Sequence, residues 1–237
     1  MLQLFHTFTD GLEAVLFPAT CMACGTAIKD KKRVLCSKCV NDRFEDPNPA
    51  NRVSCTKMLL PDGINFQDAL WRYDKEGHIQ EMIRCLKYKG MSQIGTELGK
   101  IAGKRIAERH LGTHTPDNLQ EILLVPVPLH PAREKKRGYN QARMIASGMS
   151  EISGVDLAEN EIVVRTRNTL TQTKFSFSKR MENLKGVFKV NHPEKLKDKF
   201  IILVDDVFTT GSTCYSMAAS LKNTGVAGIG ILTIGIA

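Results

Sequence analysis

The segment Ile201-Ile202-Leu203-Val204-Asp205-Asp206-Val207-Phe208-Thr209-Thr210-Gly211-Ser212-Thr213 constrains this chain more than any other. Four apolar residues form a buried strand, and two adjacent carboxylates stand at its C-terminal end. A hydroxyl- and glycine-rich turn follows, then a helical pattern from Cys214 to Lys222. In an open α/β sheet that end of a strand is where ligands bind. A turn of free backbone N–H groups at a helix N-terminus receives anions. Carboxylates beside such a turn suit sugar hydroxyls or a magnesium ion. The ligand implied carries both a phosphate and a polyol, as a ribose 5-phosphate does. The plain alternative is an ordinary buried strand with a polar turn. Adjacent aspartates argue against it, because they serve no packing purpose and repel one another.

The same residues resemble the phosphoribosyl pyrophosphate (PRPP) signature of type I phosphoribosyltransferases. The resemblance implies that Asp205 and Asp206 contact the ribose 2- and 3-hydroxyls, with Mg2+ accompanying PRPP. It implies that Thr209, Thr210, Gly211, Ser212 and Thr213 hold the 5-phosphate. Relatives that salvage purines carry an acidic residue where Thr209 stands, so purine salvage is the less favoured version.

A chain of 237 residues has room for one domain of ordinary size and a small appendage. Its 42% hydrophobic and 24% charged residues give an ordinary globular balance. The net charge of +8 favours polyanionic partners, either nucleic acid or phosphorylated metabolites. No stretch approaches the ~20 apolar residues of a membrane-spanning helix, so no membrane insertion is expected. Residues 2–17 read as a short amphipathic helix with Leu2, Phe5, Phe8, Leu12, Val15 and Leu16 on one face. Asp10 and Glu13 interrupt its apolar run, unlike an export signal. A cytoplasmic, reducing location follows as the expectation for the seven cysteines.

Four of those cysteines form two Cys-x-x-Cys knuckles, Cys21/Cys24 and Cys36/Cys39, eleven residues apart. Two knuckles at this spacing bring four thiolates around one tetrahedral ion, and structural zinc is the expectation. A single iron fits the same spacing, whereas a thioredoxin-like redox pair would not need two knuckles. Cys55, Cys85 and Cys214 have no partner at metal spacing and read as small buried residues. Asp46-Pro47-Asn48-Pro49 reads as a linker. It divides the chain into an N-terminal helix with a four-cysteine zinc-binding module over residues 1–50 and a larger domain over 51–237.

The larger domain alternates strands with helices. Strands are expected over residues 66–73, 122–127, 161–165, 200–204 and 226–234. Helices are expected over 78–89, 93–110, 141–152 and 214–222. This alternation argues a parallel sheet. In the first of these helices Ile79, Met82, Ile83 and Leu86 line the apolar face, with Arg84, Lys87 and Lys89 placed off it. The next carries a basic face of Lys100, Lys104, Arg105 and Arg109, read as solvated.

After the strand ending at Val127 comes a stiff, proline-rich and cationic loop with Arg133, Lys135, Lys136, Arg137 and Gly138. Read as the start of the following helix, such a cluster is unfavourable unless an anion arrives. Arg133, Lys136 and Arg137 are therefore candidates for a pyrophosphate, with a solvated helix start and a nucleic-acid contact as rivals. Residues 167–180 read as a polar, basic loop. Lys174, Lys179 and Arg180 are candidates to reach the diphosphate, while Phe175 and Phe177 among lysines also suit stacking of single-stranded bases.

The order of these features resembles the ComF/GntX-like family, chiefly its ComFC competence branch. The two knuckles come first, then Trp71-Arg72-Tyr73 and Leu86-Lys87-Tyr88. Val125-Pro126-Val127-Pro128-Leu129 with Arg137-Gly138-Tyr139-Asn140-Gln141 follows, and the Asp-Asp loop comes last. Arg165, Thr169, Gln172, Arg180, Asn183, Gly186 and Phe188 agree with that family's intervening stretch, which places Gln172 in the loop. The resemblance implies a zinc-ribbon-like module on a type I phosphoribosyltransferase-like α/β domain. It implies a role in natural transformation, in the uptake, handling or integration of single-stranded DNA, beside a competence-system helicase. Two other readings stay open: a metabolic transferase acting on a nucleobase or small acceptor, and a nucleic-acid-binding scaffold with a vestigial pocket.

Overall fold

The computed structural model describes residues 18–30, 33–46, 60–73, 77–168, 184 and 186–237. A short helix α1 (Ser37–Asp42) precedes strand β1 (Phe66–Arg72). Helices α2 (His78–Tyr88) and α3 (Ser92–Arg109) follow. Next come β2 (Ile122–Pro126), α4 (Pro131–Arg137), α5 (Gln141–Ser153) and β3 (Asp156–Leu157). The chain continues through β4 (Val163–Arg165), β5 (Phe188–Val190), β6 (Phe200–Phe208), α6 (Ser212–Leu221) and β7 (Gly228–Ile236).

Five strands form one sheet in the order β1-β7-β6-β2-β3, and every neighbouring pair is parallel. The expected parallel α/β architecture is therefore present. One strand departs from it. Residues 163–165 lie outside the main sheet and pair antiparallel with β5, Val164 opposite Lys189. The main sheet instead ends at β3, only two residues long.

Strand β6 is apolar on consecutive residues because both faces of the sheet are covered. Phe200, Ile202 and Val204 enter one core with Ile94, Leu98, Ile145 and Met149 from α3 and α5. Ile201 and Leu203 enter the other, with Met217 and Leu221 of α6 and Val163 and Phe188 of the small antiparallel pair. Each fully buried Ile or Leu here contributes roughly 1.5–3 kcal/mol of transfer free energy.

Helices α3 and α5 cross at glycines. A Cβ on Gly99 would strike the carbonyl of Ile145, and one on Gly148 would strike that of Thr96. The sequence thus brings two backbones into contact where any side chain would separate them. The basic face expected on α3 is not simply solvated. Lys100 pairs with Glu97 at 3.2 Å and Glu151 at 3.0 Å, and Lys104 approaches Glu108 at 4.0 Å. Arg105 and Arg109 both meet Asp46.

The cysteine-bearing segment packs onto the same core. Cys21, Ala23, Leu35 and Cys39 are buried in continuity with Trp71 and Met82. Phe44 lies against Trp71, ring centroids 4.5 Å apart. The Arg72 N–H donates to the Glu45 carbonyl at 2.8 Å, and Arg105 donates to the Leu70 carbonyl. The linker and boundary expected near residue 50, the helix over 2–17 and Cys55 fall outside the described residues, apart from Asp46.

Candidate functional site

The acid pair stands where β6 loses a neighbour. The β2–β6 ladder runs only to Pro126 opposite Val204, and the Val127 N–H closes it on the Val204 carbonyl at 2.9 Å. Beyond that point β6 continues beside β7 alone, Asp205 opposite Thr233 and Phe208 opposite Ile236. From β2 the chain leads to β3 on one side; from β6 it leads to β7 on the other. This is a topological switch point, where a parallel sheet opens a crevice at its carboxyl end.

Consecutive residues of a strand face opposite ways. Asp206 follows Val204 toward the α2 side, where Lys87 Nζ meets its Oδ1 at 2.8 Å. Its Oδ2 is buried with no hydrogen-bond partner among the described residues. Asp205 faces the β4 and α6 side. Its Oδ1 accepts the Asp206 N–H at 2.8 Å, a donor that faces the missing β2. Burial and the neighbouring Asp206 charge push the Asp205 carboxyl up to about 7, against the pull of that N–H, Lys87 and Arg165. Burial acts to lower the Lys87 ammonium, but the charges of Asp206 and Asp205 hold it above its ordinary value. Arg165, stacked 5.6 Å from the Phe188 ring centroid, is lowered by burial and by the nearby Arg133.

The turn after β6 has the features of an anion cradle. Gly211 adopts φ +72° as the N-cap of α6 and supplies no side-chain cap, so the first N–H groups of the helix lack that partner. A Cβ at Gly211 would collide with the rings of Phe208 and Tyr215, so only glycine fits. Thr210 Oγ1 and Ser212 Oγ lie 2.8 Å apart, while Thr209 is exposed and Thr213 half-buried. The structure thus brings Asp205, Asp206 and residues 209–213 onto one rim.

Arg133, Lys136 and Arg137 sit on the loop after β2, the neighbouring strand at the crevice. Here the structure corrects the sequence argument. Residues 131–137 form their own helix, α4, with Glu134 in its first turn and Lys135, Lys136 and Arg137 in its last. Cations at a helix C-terminus are favoured by the dipole, so no anion is needed to explain them. Gly138 ends α4 at φ +89°. Asn140 then caps α5, accepting from the Ala142 N–H at 3.0 Å and donating to the Val127 carbonyl at 3.0 Å. Arg133 Nε donates to Asn168 Oδ1 at 3.1 Å. Gln172, Lys174, Phe175, Phe177, Lys179 and Arg180 lie outside the described residues.

The second candidate centre is the cysteine cluster. Sγ atoms of Cys21, Cys24, Cys36 and Cys39 all lie within 4.8 Å of one another. Cys24 and Cys36 stand 3.8 Å apart, close to the edge of a zinc–thiolate tetrahedron with ~2.3 Å bonds. The Cys36 N–H donates to Cys21 Sγ and the Cys39 N–H to Cys36 Sγ, each at 3.4 Å. Gly25, at φ +73°, turns the first knuckle. Hydrogen bonding from Thr26 holds the Cys24 thiol down at about 6, whereas burial and the adjacent sulfurs push Cys39 up to about 12. Four sulfurs this close could be deprotonated together only around a cation, and the donor set fits zinc.

Sequence periodicity misplaces Lys87. It sits four residues after Ile83 and eight after Ile79, on the stripe those residues bury. Its side chain is 24% exposed. A lysine continuing an apolar stripe is the signal that could have found it. Arg165 reaches the pair through the β4–β5 contact, which no local pattern announces.

No family model matches the chain. Over 211 residues it is 29% identical to the DNA utilization protein YhgH of Escherichia coli, covering 88% of this chain and 86% of that protein. It is 37% identical over 105 residues to competence protein F of Haemophilus influenzae, 44% of this chain and 45% of that protein. To competence protein ComFC of Bacillus subtilis it is 31% identical over 155 residues, 65% of this chain and 58% of that protein. The order of the motifs implies the same kinship. Among solved structures, a hypoxanthine phosphoribosyltransferase from Staphylococcus aureus aligns with TM-score 0.35 and 16% identity, over 60% of this chain and 62% of that one. A purine phosphoribosyltransferase from Pyrococcus horikoshii aligns with TM-score 0.33 and 17% identity, over 57% and 81%.

Proposed function

We propose that this relative of the competence proteins is a PRPP-binding, phosphoribosyltransferase-like protein that handles single-stranded DNA during natural transformation. The observation that carries the ligand is the pairing, on one rim of the switch point, of two carboxylates with an uncapped glycine turn. Asp205 and Asp206 would accept the ribose hydroxyls, the unpartnered Oδ2 of Asp206 being one vacant acceptor. The 209–213 turn and the first N–H groups of α6 would hold the 5-phosphate. Arg133, Lys136 and Arg137 would face the diphosphate, with Gln172, Lys174, Lys179 and Arg180 as further candidates. Bound Mg2+ would neutralise charge on the diphosphate. The DNA role comes from the relatives' names and from the chain's basic balance. A helicase partner and a cytoplasmic location remain expectations of the same reading.

If the centre is catalytic, the departing diphosphate would draw on these cations, and the acid pair would fix the ribose as C1 gains positive character. Calorimetry with PRPP, with and without Mg2+, tests the binding. Heat that disappears in Asp205→Asn/Asp206→Asn and in Gly211→Ala is expected. No heat at millimolar PRPP, together with no thermal stabilisation, would overturn the ligand assignment. Pyrophosphate release on adding a nucleobase would instead favour a metabolic transferase.

A further inference from the structure

Tyr88 is the most exposed large apolar side chain among the described residues, at 76%. It neighbours Lys87, whose ammonium reaches Asp206. The guanidinium of Arg137 lies 5.8 Å from the Tyr88 ring centroid. Arg137 is itself steered by a hydrogen bond to Gln141 Oε1. The Tyr139 hydroxyl donates to the Leu86 carbonyl at 2.5 Å, fastening the end of α2 to the end of α4. An aromatic face and a planar cation are thus mounted together on two helix ends beside the acid pair.

The charge around them differs from that on α3. There each basic residue meets a carboxylate. Lys135 and Lys136 are exposed, and with Arg137 they form no ion pair among the described residues. Next to the exposed ring, therefore, one helix turn carries positive charge open to an incoming anion. Bases stack on such rings whatever their sequence, while lysines track the phosphates.

We infer that Tyr88 and Arg137 form a base-stacking platform for single-stranded nucleic acid, with Lys135 and Lys136 on its phosphates. The inference rests on the DNA-handling role proposed above and gives that role a location. The strand would run along the rim of the crevice without entering the glycine turn, and would compete with a bound diphosphate for Lys136 and Arg137.

Fluorescence anisotropy with an oligothymidylate and an abasic oligonucleotide of equal length separates stacking from charge. The full chain should prefer the base-bearing strand by about tenfold or more. Tyr88→Ala should abolish that preference, and Tyr88→Phe should keep it. Lys135→Gln/Lys136→Gln should weaken both strands alike and flatten the salt dependence. An unchanged melting midpoint for Tyr88→Ala, expected from its exposure, excludes misfolding. Equal affinity for the two strands, or a preference that survives Tyr88→Ala, overturns the platform and leaves the DNA role standing. Failure to bind either strand at low salt overturns both.

Discussion

Lys87 Nζ lies 2.8 Å from Asp206 Oδ1, so the last turn of α2 is tied to the acidic end of β6. The lysine is mostly covered, and Asp206 is only 5% exposed. Removing one member of such a pair strands the other charge in the protein. Lys87→Met should destabilise the chain by about 3 kcal/mol, and Lys87→Met/Asp206→Asn should recover much of that loss. Urea unfolding of the two variants and the parent measures both. A single variant as stable as the parent would show the pair to be solvated.

Asp205 gives the fold a pH dependence of unusual sign. Its carboxyl is held up at about 7, against an ordinary value of 3.8, because burial and Asp206 oppose its ionisation. Between these values the folded chain binds more protons than the unfolded one, so stability from this group falls as pH rises. The contribution is complete below about pH 4 and lost on passing about pH 7. Asp205→Asn should therefore be more stable than the parent at about pH 8, with the advantage gone only at about pH 4 or below. Chemical unfolding at the two values decides it, and a constant difference between parent and variant would refute the assignment.

The cysteine cluster should bind one zinc ion per chain, read by native mass spectrometry. The chain has a single tryptophan, Trp71, buried beneath Phe44 in the core that also holds Cys39. Chelation should therefore red-shift tryptophan emission, and Cys39→Ser should reproduce the shift without chelator. Emission that ignores both treatments would mean that the segment packs without metal.

Gly148→Ala tests the α3–α5 crossing. The added methyl would meet the Thr96 carbonyl, which cannot rotate away as a side chain does. Overpacking of this kind costs about 3 kcal/mol or less in most cores; here backbone meets backbone, and the upper end is expected. Thermal unfolding should show a drop of several degrees. An unchanged midpoint would mean that the helices can separate freely.

The sequence makes the central features legible where chemistry is local. Consecutive apolar residues in β6 identify a strand covered on both faces, and Cys-x-x-Cys spacing identifies the thiol cluster. Features that depend on distant partners are harder to read. Lys87 resembles a surface residue because its carboxylate lies more than a hundred positions away. The cations of α4 are assigned to the wrong helix end because a proline-rich stretch reads as a turn, although Pro131 at N1 starts a helix well. Residues 163–165 pair with β5 instead of entering the sheet, a choice set by a partner three residues long.

The contacts of residues 43–46 have one more consequence. A terminal strand normally presents unpaired N–H and C=O groups on which another chain can grow. On β1 the outward N–H of Arg72 is taken by Glu45, and the outward carbonyl of Leu70 by Arg105. At the opposite margin, β3 is too short to offer a template. Glu45, beside the cysteine module, and Arg105 of α3 therefore shield the sheet edge against polymerisation, and a chain whose cysteine cluster held no metal would be expected to self-associate before it lost its crevice.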